Sequence, residues 1–247
     1  MVEISSSPKR APALAQGGEA AATLSAVDRR SESVEPIVRA GVTLALAAAL
    51  LQTAAYLTNA YLLDYGVQNL DADSDGNAFT WATTVTTFTA AQCAVVLGFL
   101  GRAQMKAMIV LGAIITWLSL DDLARLHEHA GYHLAQTLGL HRSASKLIWP
   151  ALLLPLMAVA AVLLFRLARK AGGSAGRAVV AGLALLVAAV LAEIVSAPIS
   201  NEVGENPIAL YVAEVAFEEA AELGGWILIA AGLCAFVWRT VVARAPD

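Results

Sequence analysis

Charge is scarce in this chain. Asp, Glu, Lys and Arg make up 15% of its 247 residues, where an ordinary soluble domain carries about a quarter. Hydrophobic residues reach 58% and the mean hydropathy is +0.67, which excludes a soluble globular fold and describes a chain that crosses a bilayer several times. Cysteine is nearly absent. Cys93 and Cys234 both lie in apolar runs, which excludes a disulfide-stapled secreted domain; they read as small hydrophobes rather than as a disulfide or a metal pair. Positive charge is not in excess either. The net charge is −4 and the basic residues gather on no single face, so no nucleic-acid partner is expected. Residues 1–35 contain no apolar run that would form a signal-peptide core. Rich in Ala, Ser and Gly, they read as a disordered cytoplasmic tail.

What is present is a set of long apolar runs. A helix needs about 20 apolar residues to cross the hydrocarbon, and six runs qualify: Ile37 to Leu63, Phe79 to Leu100, Ala107 to about His129, Leu147 to Phe165, Ala178 to Ala197 and Pro207 to Trp238. They predict an all-α polytopic membrane protein with six transmembrane helices over residues 36–240, followed by a short cytoplasmic tail at 241–247. Pro155 is expected to kink the fourth helix and Pro198 to end the fifth. Thr80, Thr83, Thr84, Thr86, Thr87 and Thr89 crowd the second, where hydroxyls bond helix carbonyls or a neighbouring helix. Lys and Arg are retained on the cytoplasmic face. With the N-terminus inside, thirteen of the sixteen fall on that side, Arg142 and Lys146 fall outside, and Arg125 lies in a span. Both termini are therefore expected to be cytoplasmic.

The stretch from Ser119 to His129 puts Asp121, Asp122, Arg125, His127, Glu128 and His129 at the end of the third apolar run. Charges in such a place are rare and usually functional. Counted at 1.5 Å per residue from the basic residue at the inner end of each span, Asp121, Asp122, Glu193 and Glu222 come out about 22 to 26 Å deep in a core about 30 Å thick. Arg125, His127, Glu128, Glu218 and Glu219 lie further out, at about 28 to 33 Å. Tyr56, Thr86 and Thr87 reach the depth of the inner acids and offer hydroxyls. On a continuous third helix Asp121, Arg125 and Glu128 share one stripe, Asp122 and His129 a second, and His127 points away from both. Glu214, Glu218 and Glu222 form one stripe of the last helix.

Seven acids, Asp121, Asp122, Glu128, Glu193, Glu218, Glu219 and Glu222, thus share one permanent cation, Arg125. In a low dielectric that balance calls for protonation, a bound cation or water. Mixed carboxylate and imidazole donors suit Zn, Mn or Fe. A divalent metal would draw its ligands from Asp121, Asp122, His127, Glu128, Glu218, Glu219 and Glu222, with His129 as the other imidazole, Glu193 or Glu222 as general base, and Arg125 as charge partner. Glu193 has no local partner in Leu-Ala-Glu-Ile-Val and needs one from another helix. The run from Asp71 to Asn77 reproduces the first half of a calcium loop, but Ala82 stands where the bidentate acid belongs, so the reading is a solvated acidic loop turning at Gly76. Gly224 and Gly225 read as a place of close helix packing.

Three motifs carry a resemblance: Asp75-Gly-Asn-x-x-Thr-Trp81, Ser119-Leu-Asp-Asp-x-x-x-x-His-Glu128 and Glu218-Glu-x-x-Glu-x-x-Gly225. Together they resemble a family of bacterial six-helix membrane proteins of uncharacterised function, with Asp75 and Asp122 where that pattern has glutamate. The resemblance implies a bacterial cytoplasmic (inner) membrane location, the same topology and the same residues, and it implies no activity. Three uses of the acid layer stay open. One is a metal-binding or catalytic site open to the outside, acting on an outer-leaflet or envelope substrate. Another is a proton or ion relay for transport, which the nearly charge-free inner halves of the spans and the lack of an inverted repeat disfavour. The third is a polar clasp within an accessory subunit of a membrane-protein complex or a homo-oligomer.

Overall fold

The computed structural model describes residues 34–72, 76–101, 104–140, 145–196 and 209–244, apart from the side chains at 128, 145, 146 and 196. Among them are seven α-helices, one 3-10 turn at Gln68–Leu70 and no strand. The helices are α1 (Glu35–Leu62), α2 (Ala78–Leu100), α3 (Met105–Ala124), α4 (Leu126–Thr137), α5 (Ser145–Ala171), α6 (Gly173–Ser196) and α7 (Ala209–Val242). All but α4 are long and apolar enough to cross a membrane. Leu44, Leu50, Leu51, Phe99, Leu154 and Val187 stay exposed on the outside of the bundle. That is where an apolar solvent removes the penalty for exposing them.

The last helix is the post around which the others stand. Of its apolar window 67% is buried, against 22 to 39% for the other five spans, and α1, α2 and α6 all pack on it. Leu111, Ile115, Leu164, Val179, Ile229 and Leu233 form the centre of the main core cluster. Between α6 and α7 the contact is backbone to backbone. A Cβ on Gly182 would stand 2.6 Å from the Gly225 carbonyl oxygen, and one on Gly225 would stand 3.0 Å from the Gly182 carbonyl oxygen. Without a hydrophobic force between helices in lipid, such small-residue approach is what holds them. Gly225 therefore has the packing role read from the sequence. Gly224 does not, since a Cβ there would meet nothing nearer than Leu185 Cδ1 at 3.7 Å.

One local feature differs from the sequence reading, and another adds to it. The third span does not run on to His129: α3 ends at Ala124, Arg125 takes a left-handed conformation at φ 54°, and α4 starts anew at Leu126. Helix phase is lost there, so the stripe expected to join Asp121, Arg125 and Glu128 does not exist. The acidic loop, in its described part, works as a helix start. Gly76 turns at φ 70° and the Asn77 side chain accepts from the Phe79 and Thr80 N–H groups at 2.7 and 2.8 Å. This caps α2 in the manner expected of an N-cap asparagine, and Asn77 Nδ2 donates to the Asp71 carbonyl at 2.8 Å. Asp73 and Asp75 lie outside the described residues, as do residues 1–33, expected to form a tail, and residues 197–208, with Pro198 among them.

Candidate functional site

The break at Arg125 builds the polar centre. Because α4 begins again at Leu126, its second residue swings back over the end of α3. The His127 N–H donates to Asp121 Oδ1 at 2.9 Å, and His127 Nδ1 lies 2.6 Å from Asp121 Oδ2. One carboxylate thus caps the start of α4, where the helix dipole favours an anion, and fixes the imidazole ring. Asp121 is only 4% exposed. With Nδ1 committed to a carboxylate, further chemistry of the ring runs through Nε2.

Helices on both sides complete the surroundings. The Trp149 ring of α5 lies 4.5 Å from the His127 ring, and its Nε1–H donates to Glu193 Oε1 of α6 at 2.7 Å. One indole therefore supports the imidazole and supplies Glu193 with its partner from another helix. On the far side, Thr84 Oγ1 of α2 donates to Asp122 Oδ2 at 3.1 Å, and Ser119 Oγ donates to the Thr84 carbonyl at 3.0 Å. Glu222 of α7, one turn before Trp226, lies within electrostatic reach of Asp122, Glu193 and His127. Glu218, one turn away, faces Glu193, Glu214 and Glu219. Glu219 turns toward α1, where Gln52 Nε2 donates to its Oε2 at 3.4 Å; Gln52 is 1% exposed.

The structure therefore gathers Asp121, Asp122, His127, Glu193 and Glu222 from α3, α4, α6 and α7, and strings Glu218 and Glu219 beyond them. His127, expected to point away, is at the middle, because the left-handed turn reverses its direction. Asp121 meets His127 where a continuous helix would have offered it to Arg125. His129 Nδ1 is tied to the Arg125 carbonyl at 2.7 Å on the exposed side and takes no part in the centre. Thr86 and Thr87 bond carbonyls of their own helix, and Tyr56 packs in a separate apolar cluster with Phe79 and Val212. The side chain of Glu128 lies outside the described residues. Among the described residues no three His, Cys, Asp or Glu side chains converge closely enough to hold an ion.

Comparison with known proteins places this arrangement in a family. The family described as a domain of unknown function, DUF8692, matches residues 37–237. The chain belongs to it. No curated protein and no solved structure matches the chain. The DUF8692 region opens in the first turn of α1 and closes in the last turns of α7, so it holds every residue of the polar centre. Trp149, Trp226 and Gln52 are the members that residue-by-residue reading of the sequence passes over, whereas Thr84 bonds a neighbouring helix as its threonine run allowed. The indoles carried a usable signal, since a Trp N–H in an apolar span needs an acceptor and Glu193 needed a donor.

Proposed function

We propose that this DUF8692 protein binds a divalent metal, Zn, Mn or Fe, around which His127, Glu222 and Asp122 would have to close, with Glu193 beside them. The observation that carries the reading is the two-point hold of Asp121 on His127. A carboxylate on the second ring nitrogen is how a metal-binding imidazole is kept in one tautomer and one orientation. Asp121 is then an orienting residue rather than a ligand, and Glu218 and Glu219 belong to the rim. Asp122, Glu193 and His127 all act on Glu222, and carboxyls gathered in an apolar setting favour a bound cation. When bound, the metal would polarise a carbonyl or phosphoryl oxygen. Glu193 or Glu222 would accept the proton of an attacking water.

The distribution of Lys and Arg supports both termini in the cytoplasm and the centre in the outer half of the bilayer, and the motif resemblance adds a bacterial inner membrane as the setting. The matching substrate is an outer-leaflet lipid headgroup or an envelope precursor. A second reading has an observation of its own. Asp122, Glu193 and Glu219 accept from the neutral donors Thr84, Trp149 and Gln52, which suits a centre that holds its carboxyls apart without an ion, either as a proton relay or as a clasp within a larger membrane complex.

Elemental analysis by mass spectrometry separates the two readings. Protein purified in detergent without chelators is expected to carry near-stoichiometric metal, lost in Glu222→Gln and reduced in Asp121→Asn. A metal-free wild type would overturn the metal reading in favour of the proton-holding one.

A further inference from the structure

Cys93 and Cys234 are the only cysteines of the chain, 141 residues apart, yet their sulfurs lie 3.1 Å from one another. Cys93 is on α2 and Cys234 on α7, both free and half-buried. They lie seven residues before Leu100 and eight before Val242, the ends of their helices. At 1.5 Å per residue that is about 10 to 12 Å inside the bundle, on the side away from the polar centre. Ala90, Ala91 and Ala94 flank the first and Ala230 and Ala235 the second, and all five belong to the main apolar core. The two thiols therefore meet in a small-residue seam between α2 and α7, where a hydrogen bond to water is not on offer.

We propose that Cys93 and Cys234 are a disulfide-forming pair, a modification site that fastens α2 to α7. The closure needed is about 1 Å, from the present contact to a bond of about 2.05 Å. In the step itself the two thiols give up two electrons and two protons, an S–S bond forms between the two sulfurs, and the acceptor is reduced. Because the pair sits in apolar spans, the acceptor is lipid-soluble, of the quinone class, and becomes the quinol. A dithiol reverses the reaction through a mixed disulfide. The fastening joins the helix that carries Thr84, the partner of Asp122, to the helix that carries Glu218, Glu219 and Glu222. Nothing in it depends on whether the polar centre holds a metal.

The test is intact-mass spectrometry of the purified full chain after treatment with a short-chain ubiquinone analogue, followed by denaturation in excess N-ethylmaleimide. Wild type is expected to lose the mass of two hydrogen atoms and take up no maleimide, and to take up two after prior reduction. Cys93→Ser and Cys234→Ser, each checked for a monodisperse elution profile, are expected to take up one maleimide with or without quinone. Two maleimides on quinone-treated wild type would overturn the proposal. So would covalent dimers of the wild type on a non-reducing gel, since they would mean pairing between chains.

Discussion

Replacing Gly182 by alanine would set a methyl carbon 2.6 Å from the Gly225 carbonyl oxygen and 2.8 Å from Ile229 Cγ1. Ordinary contact begins at 3.4 Å, so α6 must move away from α7 by about 0.8 Å, and the atom it strikes is backbone that cannot rotate aside. Overpacking of that kind costs roughly 1 to 3 kcal/mol. Gly224→Ala supplies the control. It makes the same exchange on a neighbouring helix, with the same gain in helix propensity of about 1 kcal/mol, but its new methyl meets only Leu185 Cδ1 at 3.7 Å. The difference between the two variants therefore isolates the close approach. Unfolding in mixed micelles of a mild detergent and dodecyl sulfate, followed by tryptophan fluorescence, should place Gly182→Ala below Gly224→Ala by about 1 to 3 kcal/mol. Because Glu193 rides on α6, the same displacement widens its separation from Glu218. Equal stability in the two variants would refute the reasoning, since it would mean that α6 and α7 do not meet at Gly182 and Gly225.

Asp121→Asn keeps an acceptor for the His127 N–H but turns an amide donor toward Nδ1, which forces the ring hydrogen onto Nε2. Zinc titration followed calorimetrically should show affinity reduced by about 10- to 100-fold, while the thermal midpoint in detergent moves little. Trp149→Phe keeps an aromatic ring against His127 and removes the donor to Glu193. Thermal unfolding should show a loss of about 1 to 3 kcal/mol, and adding Glu193→Gln to the same chain should recover part of it. Asn77→Ala removes the cap of α2 at a cost of about 1 kcal/mol. Hydrogen exchange should report faster opening at Phe79 and Thr80 and unchanged protection near Ala94.

The six spans are legible in the sequence because a bilayer demands one thing of a helix, about 20 apolar residues in a row, and the chain provides it six times. The acid layer is legible for the same reason: a carboxyl such as Glu193 stands out against Leu, Ala and Val. The end of the third helix is not. Nothing in Asp121-Asp122-Leu-Ala-Arg125 forbids another helical turn, and the break is decided by a tertiary bond in which the Asp121 carboxylate reaches the N–H of His127. Losing that bond inverts the reading of His127, which a continuous helix sends away from the site. The sulfur contact is illegible in another way. Cys93 and Cys234 reveal nothing alone, and only the register of α2 against α7, set by alanines and glycines, brings them together.

Seen along α7, the placing of charge argues for a centre reached from one side. From Glu222 to Arg239 that helix carries no charged residue, and neither does α3 between Lys106 and Asp121 nor α6 between Arg177 and Glu193. Each gap is 14 residues or more, or about 20 Å of helix. Through that depth the bundle is filled by Leu111, Ile115, Val179, Ile229 and Leu233, all fully buried. An ion or proton arriving at Glu222 therefore meets a packed apolar plug in the direction of Arg239, with no carboxyl or imidazole to receive it. In the other direction the acids continue at one-turn intervals, Glu218 and then Glu214. A centre with acids on one side and a packed apolar plug on the other is the arrangement the proposed binding site requires, since a ligand taken up there would have to leave on the side it came from.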